Sequence, residues 1–412
     1  MGRTVGYTGR YRRRVSKASE RDADRKPATL LAQAGRRREW THGIVNTPVY
    51  HASTCLFETL ADLDAASAAP NDGLYYGRRG TPTQWSLEAA LTELEPGAAG
   101  TKLFPSGVAA IATALMSVLK AGDHLLMVDS VYEPNRIFCN TVLKRAGVET
   151  TFYDPMIGVG IAALIRPDTR AIFLEAPGSL TFEVPDVPAI VAAAKASGLV
   201  TLFDNTWATP LLFPAVANGI DLSIQSLSKY IVGHSDVMMG SVTASPAAWE
   251  ALQSATHRFG QCTAPDDTYL AQRGLRTLHT RLQRHEASAL EVARWLSSHP
   301  KVDRVLHPAL PSCPGHTNWA RDFNGSSSLF AFTLKSGDRP AMAPFVDGLA
   351  HFGMGFSFGG FESLILPVEP HSIRTATRWT APGQLIRLHI GLEDVGDLIA
   401  DLEAGLTRLG EC

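Results

Sequence analysis

The chain has 412 residues, 45% hydrophobic and 19% charged, with a formal net charge of −2. That is enough apolar material for a large core in two or three structural units, with too little charge asymmetry to attract nucleic acid or an acidic membrane. Five cysteines, Cys55, Cys139, Cys262, Cys313 and Cys412, never fall in CxxC spacing, and no stretch is apolar enough for a membrane span or a secretory signal, which excludes an encoded zinc site and a disulfide framework and makes a reducing cytoplasm the expected compartment.

Along the chain, residues 1–27 carry Arg10, Arg12, Arg13, Arg14, Arg21 and Arg25 among few apolar residues and read as a solvated, disordered tail. Glu20, Asp22 and Asp24 within it sit poorly with an organellar transit peptide. Helical spacing of apolar residues predicts a helix over 84–94 and a more buried one over 109–120, stopped by Gly122. Short apolar runs at 124–128, 171–174, 199–203 and 222–224 predict strands, three of them followed by an acid: Asp129, Glu175 and Asp204. Apolar strands alternating with helices imply a mostly parallel α/β sheet, whose ligands sit beyond the strands' carboxyl ends. A polar residue also simply marks a strand end, so each acid alone carries both readings. Beyond about residue 270 the texture changes to a long amphipathic helix over 282–297, strands at 302–306, 328–334 and 385–390, and a last helix over 395–409. That is the pattern of a second, smaller α/β unit.

One lysine stands out. Lys229 lies in Ser226-Leu227-Ser228-Lys229-Tyr230, 25 residues after Asp204, in a chain with nine lysines against 29 arginines. Pyridoxal phosphate chemistry needs an amine to condense with the aldehyde, a carboxylate to keep the pyridine nitrogen protonated, and hydroxyls for the phosphate. This stretch supplies all three. Taken alone, a Ser-x-Ser-Lys is also a surface lysine after a strand. Ser106-Gly107-Val108 opens a predicted helix, so its amides can face an anion that glycine lets approach closely; alone, it is also an ordinary turn.

Taken in order, Tyr76-Gly77-Arg78-Arg79-Gly80-Thr81-Pro82-Thr83, Ser106-Gly107-Val108-Ala109-Ala110, Asp129-Ser130-Val131-Tyr132-Glu133-Pro134, Asp204-Asn205-Thr206-Trp207, the run from Ser226 to Asp236, and that from Leu385 to Asp394 resemble the Cys/Met-metabolism enzymes that depend on pyridoxal phosphate. The likeness runs from about Leu30 to the C-terminus. It implies an aminotransferase-like architecture of fold type I: an arm over 28–80 reaching a neighbouring subunit, a large cofactor-binding domain over 81–272 and a smaller C-terminal α/β domain over 273–412. The assembly implied is a homotetramer of dimers with shared active sites. Gly107, Val108, Ser226 and Ser228 would form the phosphate cup, joined by Tyr76 and Arg78 of the neighbour's arm. Tyr132 would stack on the ring, Asp204 would charge its nitrogen and Lys229 would be the catalytic amine. Arg387 would clamp the substrate α-carboxylate, with Ser357 and Tyr76 also lining the substrate site. Without the resemblance, Tyr132 reads as a loop tyrosine and Arg387 as part of a half-exposed strand.

Family members acting at the γ-carbon carry Glu-Ser/Thr-Pro-x-Asn-Pro where this chain has Glu175-Ala176-Pro177-Gly178-Ser179-Leu180, which points to the β-lyase branch. The implied reaction is β-elimination from L-cystathionine to homocysteine, pyruvate and ammonia, a step of methionine biosynthesis. Phe356, Phe358 and Phe361 replace the Tyr, Trp and Tyr of comparable β-lyases, implying a more apolar distal pocket. Rival readings are a cysteine desulfhydrase or methionine γ-lyase, an amino-acid racemase of the same fold, and a cofactor-binding regulator without turnover.

Overall fold

The computed structural model describes residues 25–409. Most of the Arg-rich tail, and Cys412, lie outside the described residues.

Seven strands form the larger sheet: β1 (Gly100–Phe104), β2 (His124–Val128), β3 (Glu149–Tyr153), β4 (Thr169–Glu175), β5 (Val200–Asp204), β6 (Leu222–Ser226) and β7 (Gly240–Ala244). Their order is β1-β7-β6-β5-β4-β2-β3, and only β7 runs antiparallel to its neighbours. The other contacts are parallel, so helices must return the chain across the faces, and the central strands are buried on both sides. The same polarity brings Asp129, Glu175, Asp204 and Ser226 to one edge, where β2, β4, β5 and β6 end.

The smaller sheet holds β8 (Val302–Leu306), β9 (Leu329–Leu334), β10 (Phe352–Met354), β11 (Ser363–Val368) and β12 (Leu385–His389), in the order β10-β11-β12-β9-β8. Phe330, Phe332, Ile386 and Leu388 from this sheet pack with Ala289, Val292 and Leu296 of the helix Leu278–Ser298 and Leu398, Leu402 and Leu406 of Val395–Thr407. Both helices follow the 3.6-residue spacing of their apolar positions.

Two helix starts matter for the site. Thr81 and Gln84 form a reciprocal capping box on Pro82–Glu93, which fixes where the arm joins the first helix of the sheet unit. Ser106 caps Gly107–Val118 by accepting from the Ala109 amide at 3.1 Å. In the arm, the helix Leu60–Ala68 buries no residue, and Leu56 and Leu60 are 92% and 73% exposed. Among the described residues, no helix is long and apolar enough to cross a membrane.

Candidate active site

Lys229 lies three residues beyond β6, in a turn that folds back on the sheet edge. Its Nζ donates to Ser357 Oγ at 2.7 Å and stands 5.1 Å from the centre of the Phe358 ring. Burial, then the Arg387 cation, brings its pKa down to about 8, against the opposing pull of Asp204. Roughly a tenth of this amine is neutral near pH 7, whereas an ordinary surface lysine is almost wholly charged.

Asp204 closes β5 and is buried. Burial raises its pKa, countered by the Thr206 hydroxyl and amide and by Lys229. The Thr206 amide donates to Oδ1 at 3.0 Å, while Thr206 Oγ1 accepts from the Ser226 amide at 2.9 Å, tying the ends of β5 and β6 together. In register beside Asp204 stands Glu175, whose carboxyl is pushed well above the usual range by burial and by Asp204. Glu175 Oε2 accepts from the Tyr132 backbone amide at 2.8 Å, which fixes the tyrosine's position over the same edge. Burial, then Asp204 and Glu175, raises the Tyr132 phenol pKa.

Arg387, on β12, reaches the edge from the smaller sheet and donates from Nη2 to the Ser357 carbonyl at 3.1 Å. Burial lowers its pKa to about 10, which leaves it charged near neutrality. Its strand mates Leu388 and Ile390 lie in the second core. Ser357 itself has φ +131°, a conformation disfavoured for any residue with a Cβ.

The phosphate cup is legible in the backbone. A Cβ on Gly107 would lie 2.8 Å from Ser226 Cβ and 3.0 Å from Ser226 Oγ, so glycine is required for the helix N-terminus to approach β6 this closely. The first amides of that helix have no preceding turn of carbonyls to bond and point outward, a ready anion site. Ser228 Oγ is engaged on both sides by Met239, donating to its carbonyl at 3.2 Å and accepting from its amide at 2.9 Å. These features fit pyridoxal phosphate: a glycine-lined anion cradle, a buried carboxylate lacking a full countercharge, and an amine of lowered pKa on one sheet edge.

Tyr76 and Arg78 stand apart from this group. Arg78 Nη1 donates to the His257 carbonyl at 2.9 Å, and Tyr76 is 43% exposed. Thus one chain brings together Lys229, Asp204, Tyr132, Ser357 and Arg387 beside the Gly107–Ser226 cradle, while the arm's pair is held elsewhere.

Two contributors were visible in the sequence only as strand-end acids. Glu175 holds the Tyr132 amide. Asp129 accepts from the Thr375 and Thr377 amides at 3.0 and 2.8 Å and from Arg136 Nη2 at 2.5 Å, pinning the loop that leads into β12. Their position at strand ends was readable; apart from Arg136, their partners lie 43 to 248 residues away and were not.

Comparison with known proteins agrees with this geometry. The Cys/Met metabolism PLP-dependent enzyme family matches residues 28–407. The chain is 47% identical over 394 residues to a cystathionine β-lyase of Escherichia coli (strain K12), covering 94% of this chain and 100% of that one. It is 41% identical over 396 residues to an L-alanine/L-glutamate racemase of Wolbachia pipientis wMel, covering 93% and 98%. Among solved structures, metB from Corynebacterium glutamicum superposes with a TM-score of 0.86 at 30% identity, covering 94% of this chain and 100% of that one.

Proposed function

Because the chain belongs to the Cys/Met metabolism family of PLP-dependent enzymes, we propose that it is a carbon–sulfur β-lyase that converts L-cystathionine and water to homocysteine, pyruvate and ammonia. The observation that carries this reading is the buried Lys229 amine, lowered to a pKa of about 8 and set between Asp204 and Arg387 on the carboxyl edge of the sheet. Full-length identity to β-lyases supports the choice of substrate.

Bound there, pyridoxal phosphate supplies an electron sink for the carbon-bound electron pair released at the substrate Cα. The Gly107 and Val108 amides, with the Ser226 and Ser228 hydroxyls, would hold its phosphate, and Asp204 would hold the proton on the ring nitrogen. Tyr132, fixed by Glu175, would cover the ring. Arg387 presents a planar fork to the substrate carboxylate. With the substrate in place, neutral Lys229 would take the Cα proton; the Cβ–S bond would break with its electron pair leaving on sulfur, and Lys229 or Tyr132 would protonate the thiolate. Water then completes release of pyruvate and ammonia.

The domain bounds 81–272 and 273–412 fit the two sheets, and the arm over 28–80 fits a surface covered by a second copy. Leu56 and Leu60 are the apolar residues such a partner would bury, and Tyr76 and Arg78 would complete its site as part of a homotetramer of dimers. At the mouth, Met354, Phe356 and Phe361 are exposed, which favours thioethers with apolar distal groups alongside cystathionine.

The test is pyruvate formation by the cofactor-loaded enzyme from L-cystathionine, L-cysteine and L-methionine, alongside chiral analysis after incubation with L-alanine and L-glutamate. The expected result is the highest kcat/KM for cystathionine with no D-amino acid. Racemisation without pyruvate would transfer the chain to the activity of its Wolbachia relative.

A further inference from the structure

Behind Lys229 lies a buried polar chain that the reaction outlined above does not use. Tyr230, Ser328 and His389 are each at most 1% exposed. His389 Nδ1 stands 2.7 Å from Ser328 Oγ, which is 2.9 Å from the Tyr230 hydroxyl, and the Ser328 amide donates to that hydroxyl at 3.1 Å. On its other side, His389 Nε2 lies 3.1 Å from the Gly359 amide nitrogen and 3.2 Å from the Gly360 carbonyl oxygen, and the Gly359 amide also stands 3.4 Å from Nδ1. Neutral imidazole has one N–H: on Nδ1 it donates to Ser328 Oγ, and on Nε2 it donates to the Gly360 carbonyl while Nδ1 accepts from the Ser328 hydroxyl, so either tautomer ties the turn to Ser328. Burial, reinforced by the neighbouring His285 and by Arg387 and Lys229, keeps the ring neutral, as that arrangement requires.

The segment so gripped is the one that touches Lys229. Gly359 has φ +83°, and a Cβ there would lie 2.7 Å from the Tyr230 amide nitrogen and 2.8 Å from the Lys229 carbonyl carbon. The loop therefore rests on the backbone of the catalytic lysine. Two residues earlier, Ser357 holds its unfavourable φ of +131° while Oγ accepts from Lys229 Nζ. Three residues beyond Gly359, Glu362 accepts from the Ser235 hydroxyl and fastens the far end. A strained turn keeps its shape only when its surroundings over-determine it. His389 is the one buried side chain in this group that bonds both the turn's backbone and, through Ser328, the residue after Lys229.

We infer that His389 is a positioning residue: the Tyr230–Ser328–His389 chain holds the 356–361 turn over Lys229, and so sets both the contact of Ser357 with the amine and the amine's seclusion from water. This rests on the proposed role of Lys229 and adds a residue that touches neither substrate nor cofactor. The sequence already held the clue that His389 and Arg387 share one strand face, but nothing in it showed that face turned to a buried loop rather than to solvent.

The experiment compares wild type, H389A, H389N and S328A. Hydrogen exchange of the peptide over 356–362 is followed by mass spectrometry, and the pH dependence of Lys229 acylation by an amine reagent is followed in cofactor-free protein. Cystathionine turnover is measured after loading. In H389A the 356–362 amides exchange faster while the central strands keep their protection. The Lys229 acylation midpoint rises from near 8 by about one pH unit or more, which leaves roughly a tenfold smaller neutral fraction at pH 7. Turnover falls about tenfold in kcat with a smaller change in KM. H389N, which retains a hydrogen-bonding side chain, recovers part of all three, and S328A moves them the same way even if H389A does not fold. Faster exchange with an unmoved Lys229 midpoint would reduce His389 to a packing role and overturn the inference, as would unchanged exchange in both folded variants. Absence of cystathionine cleavage by wild type would count against the proposed reaction alone, because the exchange and acylation arms do not depend on it.

Discussion

At the scale of single residues, the site works by holding charges where water would prefer not to leave them. Among the described residues, Lys229→Ala removes the amine on the sheet edge, so the yellow colour of the loaded enzyme and steady-state turnover should be lost together; near-normal turnover would exclude Lys229 as the base. Asp204→Asn keeps size and hydrogen bonding but removes the charge. The cofactor should still bind, while kcat drops at least a hundredfold, roughly 3 kcal/mol of transition-state stabilisation, as read from absorbance and turnover on the same sample. Arg387→Lys should raise KM for cystathionine roughly tenfold to a hundredfold, because a point charge replaces a planar fork whose charged hydrogen bonds are worth about 1.5–3 kcal/mol. Of these residues, Lys229 and Asp204 stood out by their own chemistry and spacing, whereas Tyr132, Ser357 and Arg387 were expected only through the family resemblance. Glu175 and Asp129 were legible only as strand ends, since their partners come from elsewhere in the chain.

At the scale of elements, strands that could be read in advance include those with unbroken apolar runs, such as Leu125–Val128 in β2 and Ala171–Leu174 in β4. β1 and β7 escaped because their buried positions are polar: Thr101 and Thr243 bond each other across the strands at 2.8 Å, and Lys102 pairs with Glu88 at 3.3 Å. Lateral pairing makes such residues compatible with a core, and a single strand read alone contains no sign of its partner. β11 was missed for another reason, since Pro367 lies within it. The turn at 356–361 is the element most exposed to damage. Gly359→Ala places a Cβ against backbone at 2.7 Å in a left-handed conformation, costing about 1–2 kcal/mol from the dihedral alone. It should lower kcat while leaving cofactor affinity within severalfold, because the Gly107–Ser226 cradle lies on other elements. Loss of cofactor with unchanged kcat in the remaining loaded fraction would contradict that separation.

At the scale of the whole molecule, two properties follow from what is buried and what is left uncovered. Glu95 is buried among the Ser223 hydroxyl, the Asn205 amide and the Val216 amide, and burial raises its pKa to about 7. A carboxyl with a raised folded-state pKa contributes fully below about pH 4.5, its ordinary value, and loses that contribution as pH rises toward 7. The loss is of order 3 kcal/mol. Denaturant unfolding at fixed protein concentration should show a smaller drop between pH 5 and pH 8 in Glu95→Gln than in wild type, and equal drops would mean that Glu95 ionises without cost. Assembly is the second property. Mixing inactive Arg78→Ala with inactive Arg387→Ala protomers under exchanging conditions should restore activity, since a hybrid dimer has one site with both arginines; demonstrated hybrids without activity would mean that each site is built from one chain. The central claim is β-elimination dependent on Lys229, and it is tested most directly by quantifying pyruvate, homocysteine and ammonia from L-cystathionine with wild type and Lys229→Ala side by side. Equimolar formation of the three products by wild type and none above background by the variant is the predicted result, whereas cysteine and 2-oxobutyrate in their place, or equal product from the variant, would contradict it.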